Sequence, residues 1–188
     1  MKVTKKEALN IPNILCYIRI LLIPFFCYYL ITADSDNLYR YAIGAGLIVL
    51  SGITDLFDGL IARRCNMITD LGKAIDPIAD KLTQFSIAVC LTIKIPYMIY
   101  LVLIVFVKEI AMGILCLILL KQNKKLDGAM WFGKVATAVY YAAMFLIIVL
   151  TILDANPVWN VVLISIASVF MLFSFGMYLP VFYRLYKK

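Results

Sequence analysis

Four aspartates stand at helical spacing near the middle of the chain. Asp55 and Asp58 are three residues apart, and Asp76 and Asp80 are four residues apart. On helices, these spacings place the members of each pair on one face. Ionised carboxylates in apolar segments normally face a cavity, a partner or an ion, because lipid does not solvate them. The four acids therefore predict a site for a hard divalent cation (Mg²⁺, Mn²⁺ or Ca²⁺), which prefers oxygen ligands.

The chain contains no histidine at all. This excludes a Ser-His-Asp or Cys-His nucleophile pair, a zinc site of the H-E-x-x-H type and a phosphohistidine intermediate. Catalysis would have to use carboxylates, lysine, hydroxyl groups or a metal held by oxygen. The five cysteines are scattered with no C-x-x-C pair, and we interpret them as packing residues: Cys16, Cys27, Cys65, Cys90 and Cys116.

The elements that must position the acids are membrane helices. Of the 188 residues, 64% are hydrophobic, far above the roughly 45–50% of soluble domains. At about 20 residues per crossing, we expect an all-α polytopic membrane protein with six transmembrane helices, forming a single domain over residues 1–188. Residues 1–13 are predicted to be a juxtamembrane segment, with a short amphipathic helix ended by a turn at Asn10-Ile11-Pro12-Asn13. The predicted spans are about 14–31, 38–62, 71–93, 96–120, 130–153 and 157–183.

The net charge of +7 follows this topology, so it does not indicate a nucleic-acid partner. Basic residues lie at the ends of alternate spans, and the intervening connections contain few of them. The positive-inside rule then places both termini and the acids on the cytoplasmic side. The clustered cations are Lys2, Lys5, Lys6, Arg63, Arg64, Lys121, Lys124, Lys125, Arg184, Lys187 and Lys188.

The second and third predicted spans are consecutive and joined by a short connection, so we expect them to form an antiparallel hairpin. In such a hairpin their acidic faces can oppose each other.

At these residues the sequence resembles the CDP-alcohol phosphatidyltransferase family. The family signature has two acids three apart, then Gly, Ala and Arg at fixed spacing, then a Gly and two further acids. The matching positions are Asp55, Asp58, Gly59, Ala62, Arg63, Gly72, Asp76 and Asp80. They match over 26 residues without a gap or a substitution. The resemblance implies transfer of a phosphatidyl group from CDP-diacylglycerol to an alcohol, with release of CMP.

The resemblance also implies roles for these residues. Two divalent ions, Mg²⁺ or Mn²⁺, would be held by Asp55, Asp58 and Asp76 and would clamp the substrate pyrophosphate. Asp80 would complete the metal site or act as the base that takes the proton of the acceptor hydroxyl. The CDP moiety would contact five positions: Asp55, Gly59, Ala62, Arg63 and Gly72.

Cationic side chains within the apolar segments give an indication of the acceptor alcohol. We expect Arg19, Lys108 and Lys134 to bind a phosphate of the acceptor, which favours glycerol 3-phosphate. Structural roles remain open, because Lys108 could form an internal ion pair with Glu109 and Lys134 could extend to the membrane surface.

Two elements resemble those of family members that act on glycerol 3-phosphate: Lys108-Glu109 and the segment Gly133-Lys134-Val135-Ala136-Thr137. Lys108 replaces an arginine and Ala136 replaces a second lysine, and lysine and arginine are not equivalent at a phosphate site. The alternative acceptor is therefore phosphatidylglycerol, which would give cardiolipin.

A hypothesis from another class is a small transporter whose intramembrane acids carry ions. It does not account for the Gly-Ala-Arg spacing between the acids or for their grouping at one membrane face. The resemblance further implies a homodimer, and chain size and family type favour the plasma membrane of a bacterium.

Overall fold

A computed structural model describes residues 10–64, 69–122, 124 and 130–187. In this part of the chain the regular structure is entirely helical. The order is α1 (Ile11–Thr32), a 3-10 turn (Ser35–Asn37), α2 (Leu38–Arg64), α3 (Asp70–Thr92), α4 (Met98–Lys121), α5 (Trp131–Ile152) and α6 (Val158–Lys187). The all-α prediction is confirmed for these residues. Most of the predicted amphipathic helix falls in residues 1–9, which lie outside the described part.

The first helix begins earlier than predicted. Asn10 is extended, and Ile11, Pro12 and Asn13 already belong to α1, so the turn predicted at Asn10 to Asn13 is wrong. Proline fits the first helical turn because the amides there have no partner within the helix, and its fixed φ already suits the helix.

Four of the described helices are long and apolar enough to cross a membrane: α1, α4, α5 and α6. The chain is thus a membrane protein by composition and length. The α2 and α3 helices, which contain the acids and other polar residues, are not among these four. Six transmembrane spans therefore remain a prediction.

The chain divides into two compact units, Met1–Lys94 and Ile95–Lys188. In the first unit, α1 packs against both α2 and α3. Phe26 and Leu30 of α1 and Ile87 and Leu91 of α3 are buried in its core. At one end of the unit, Lys94 Nζ lies 3.2 Å from Asp34 Oδ1 and links the segments that follow α3 and α1.

In the second unit, α6 packs against both α4 and α5. Tyr140 and Met144 of α5 and Met171 of α6 are buried there. The single domain predicted for residues 1–188 is not tested by these two units and stays a prediction.

Tyr178 fixes the start of α5 against α6. Its Oη accepts a hydrogen bond from the Met130 amide at 3.2 Å, and its ring packs edge-on to Phe132 with centroids 4.6 Å apart. A Cβ atom placed on Gly133 would lie 2.5 Å from Tyr178 Oη. The close approach of α5 to this tyrosine therefore requires glycine at position 133.

We expect Gly133→Ala to lower the free energy of unfolding by about 1–3 kcal/mol, because the added methyl group displaces Tyr178. The matched control is Gly113→Ala in α4, where nothing lies within 4 Å of an added Cβ. That variant should be unchanged or stabilised by up to about 1 kcal/mol through helix propensity. Thermal unfolding in detergent measures both, and equal melting temperatures for the two variants would contradict the packing described.

Candidate active site

One buried arginine of α1 joins acids from two other helices. Arg19 has a side chain only 2% exposed, and its Nη2 lies 2.6 Å from Asp55 Oδ1. The same nitrogen forms an ion pair with Asp58 Oδ2. Arg19 Nη1 lies 3.2 Å from Asp76 Oδ1. We call Asp55, Asp58 and Asp76 the carboxylate cluster. The sequence predicts that the acidic faces of α2 and α3 oppose each other. In the structure, acids of both helices meet around Arg19 of α1.

The carboxylate cluster is closed on one side and open on the other. Asp58 is 5% exposed, whereas Asp55 and Asp76 are 45% and 52% exposed. Asp55 and Asp58 lie about one turn apart on α2, so both side chains can face α1. Of the two, only Asp58 is buried. A ligand can therefore reach the cluster from the side of Asp55 and Asp76.

Cys16 also contributes to this cluster. Its Sγ lies 3.5 Å from Asp58 Oδ2 and 4.0 Å from Asp76 Oδ1, and these three groups could hold a metal ion. The interpretation of Cys16 as a packing residue missed this position. The signal was present in the spacing, because Asn13, Cys16 and Arg19 follow one another at three-residue intervals along one face of α1.

The beginning of α3 is fixed to the beginning of α1. Thr69 Oγ1 caps α3 by accepting a hydrogen bond from the Gly72 amide at 3.0 Å. Asn13 Nδ2 donates to the same oxygen at 3.1 Å. A Cβ atom on Gly72 would lie 2.6 Å from Asn13 Oδ1. Glycine at position 72 therefore permits the contact that sets the position of Asp76, one turn further along α3.

The other predicted positions of the acidic segment are placed less completely. Asp80 lies one turn after Asp76 on α3, is partly buried, and interacts electrostatically with Asp55. The side chains of Ala62 and Arg63, and the surroundings of Gly59, lie outside the described residues. Their predicted contacts with CDP remain predictions.

The two remaining cationic candidates, Lys108 and Lys134, belong to the second unit. Lys108 is buried in α4; its Nζ lies 3.1 Å from Glu109 Oε1 and 3.6 Å from Met171 Sδ. The alternative of an internal ion pair is thus confirmed for Lys108. Lys134 is exposed in the first turn of α5.

The residues of the carboxylate cluster fit a hard divalent cation. Three carboxylates face a single guanidinium, which leaves an excess of two negative charges before Asp80 is counted. Ionised oxygen donors with excess negative charge are the ligands that Mg²⁺ and Mn²⁺ prefer. The Cys16 thiol is a softer neighbour of these oxygen donors.

Relatives of this chain include proteins with two different names. A CDP-diacylglycerol–glycerol-3-phosphate 3-phosphatidyltransferase of Rickettsia typhi is 45% identical over 85 residues, which are 45% of this chain and 46% of that protein. A cardiolipin synthase (CMP-forming) of Streptomyces coelicolor is 30% identical over 136 residues, 72% of this chain and 63% of that protein. A putative cardiolipin synthase of Mycobacterium bovis is 26% identical over 181 residues, 95% of this chain and 82% of that protein.

The match to the Rickettsia protein spans about half the length of that relative. A family model covers much more of the chain: the model for CDP-alcohol phosphatidyltransferases matches residues 9–177. This range includes the whole carboxylate cluster, Cys16 and Arg19. The chain therefore belongs to the CDP-alcohol phosphatidyltransferase family.

Proposed function

We propose that the protein transfers a phosphatidyl group from CDP-diacylglycerol to glycerol 3-phosphate, giving phosphatidylglycerophosphate and CMP. The observation that carries the proposal is the convergence of Asp55, Asp58 and Asp76 on one point, with two of the three open to a ligand. A pyrophosphate is anionic, so acids can face it only when a cation lies between them.

In the proposed reaction the acceptor hydroxyl oxygen bonds to the phosphatidyl phosphorus, and the bond from that phosphorus to the CMP oxygen breaks. Asp55, Asp58 and Asp76 would hold two divalent ions, Mg²⁺ or Mn²⁺. When bound, these ions would neutralise the negative charge of the pyrophosphate. The exposed carboxylates of Asp55 and Asp76 would face the substrate, and the buried Asp58 would fix the site from within.

Asp80 is proposed to take the proton of the acceptor hydroxyl. It lies one turn beyond Asp76 on the same helix, and a carboxylate is the available type of base in a chain without histidine. Gly59, Ala62 and Gly72 would let the cytidine approach the backbone. Arg63 would donate to a phosphate as a planar fork.

The choice of acceptor rests on opposing observations. The Rickettsia relatives are named for glycerol 3-phosphate and share the higher identity. The relatives that align over more of the chain are named cardiolipin synthases, which favours phosphatidylglycerol as a second candidate. Two features of the second unit favour it as well, because Lys108 is paired with Glu109 and Ala136 is buried where a lysine is usual.

We further propose that the protein spans the bacterial plasma membrane several times, with both termini and the active site cytoplasmic, and acts as a homodimer. The four long apolar helices support the membrane location. Family membership leaves the transporter hypothesis without support.

The first test is CMP release from CDP-diacylglycerol in detergent with Mn²⁺ or Mg²⁺. We expect Asp55→Asn to reduce the rate by at least about 100-fold, because charge neutralisation supplies most of the catalysis in phosphoryl transfer. The matched control is Asp34→Asn, which removes an aspartate that is 74% exposed and paired with Lys94; its rate should stay within about twofold. An Asp55→Asn variant as active as this control would refute the proposed site.

The acceptor is tested by supplying glycerol 3-phosphate, phosphatidylglycerol, myo-inositol phosphate or serine one at a time and separating the products by thin-layer chromatography. We expect phosphatidylglycerophosphate with glycerol 3-phosphate. If cardiolipin forms and phosphatidylglycerophosphate does not, phosphatidylglycerol is the acceptor.

A further inference from the structure

This inference rests on the proposed function and concerns the metal site itself. We propose that Arg19 is an internal counter-cation that competes with the divalent ion for the carboxylate cluster. It is a positioning residue: it holds the acids of α2 and α3 together before the metal binds, and it must give up their oxygens when the metal arrives.

The geometry places the guanidinium where a cation would be bound. Nη2 contacts Asp55 and Asp58 together, and Nη1 contacts Asp76. These oxygens converge from two helices, and a metal ion that used the same three atoms would have to displace the guanidinium.

The burial of Arg19 indicates that the carboxylates are its principal anchors. The side chain is 2% exposed, and its Nε atom is buried with no hydrogen-bond partner among the described residues. No hydrogen bond at Nε would have to break if the guanidinium moved away from the cluster. A buried donor without a partner is also unfavourable in itself. The two Nη ends that meet the acids hold the group in place.

The charges lead to the same conclusion. The three carboxylates and Arg19 together leave two negative charges, or three when the neighbouring Asp80 is counted. Without the guanidinium the same acids would offer a divalent ion one more negative charge. Because charges a few ångströms apart interact strongly away from bulk water, Arg19 must lower the affinity of the cluster for metal.

The test is a Mn²⁺ titration of the purified chain in detergent after chelator treatment, with free Mn²⁺ measured by electron paramagnetic resonance. We expect Arg19→Gln to lower the Kd for Mn²⁺ by about tenfold, within the usual range of coupling between neighbouring sites. The control is Lys94→Gln, which removes a cation paired with an aspartate in the same unit but away from the cluster. Its Kd should equal that of the wild-type chain.

A second variant covers the case in which Arg19→Gln does not fold. Arg19→Lys keeps the charge, but its single ammonium group cannot reach three carboxylates as the two Nη atoms do; its Kd should fall between those of the wild type and Arg19→Gln. In chelator, both variants should melt at a lower temperature than the wild type, and Mn²⁺ should raise their melting temperature by more.

A Kd equal to or higher than that of the wild type in the variants that fold would overturn the competition. Absence of Mn²⁺ binding by the wild-type chain would overturn it as well. The titration uses no substrate, so failure of CMP release with the expected change in Kd would refute the proposed function and leave the role of Arg19 intact.

Discussion

Three carboxylates that converge on one point must be compensated by positive charge, and the first unit of this protein is arranged around that requirement. Unpaired ionised acids in a membrane protein cost several kcal/mol, at about 2.5–3.5 kcal/mol for one aspartate at the centre of a helix in lipid. Arg19 supplies one charge from α1, and it is placed where α2 and α3 both reach it. The remaining negative charge is the reason that the site suits a divalent ion.

The α1 helix, which is long and apolar enough to cross a membrane, also positions the acids. Its polar face presents Asn13, Cys16 and Arg19 to the acids and to the start of α3, while Phe26 and Leu30 pack the apolar core further along. The bond from Asn13 to Thr69 and the absence of a side chain at Gly72 let the two helix beginnings approach closely. This contact sets the position of Asp76, and Arg19 then sets the position of the cluster.

The sequence predicts the local parts of this arrangement well. Helix bounds follow from apolar runs, the one-turn spacing of Asp55 and Asp58 follows from helical periodicity, and the adjacent Lys108 and Glu109 could be recognised as a possible ion pair. The contacts of Arg19 and Cys16 with Asp58 could not be foreseen, because 39 and 42 residues separate them. Such contacts depend on how α1 packs against α2, which periodicity alone does not determine. The acceptor is the least predictable feature, because the binding of its phosphate by Arg19, Lys108 and Lys134 stays a prediction.

The most direct test of the metal site is anomalous diffraction from crystals of the protein soaked in Mn²⁺, recorded at the manganese absorption edge. The account predicts anomalous density within about 2–2.6 Å of carboxylate oxygens of Asp55, Asp58 and Asp76, the distance range of oxygen ligands. Manganese bound elsewhere, for example at Glu109 of the second unit, with none at these three aspartates, would contradict it.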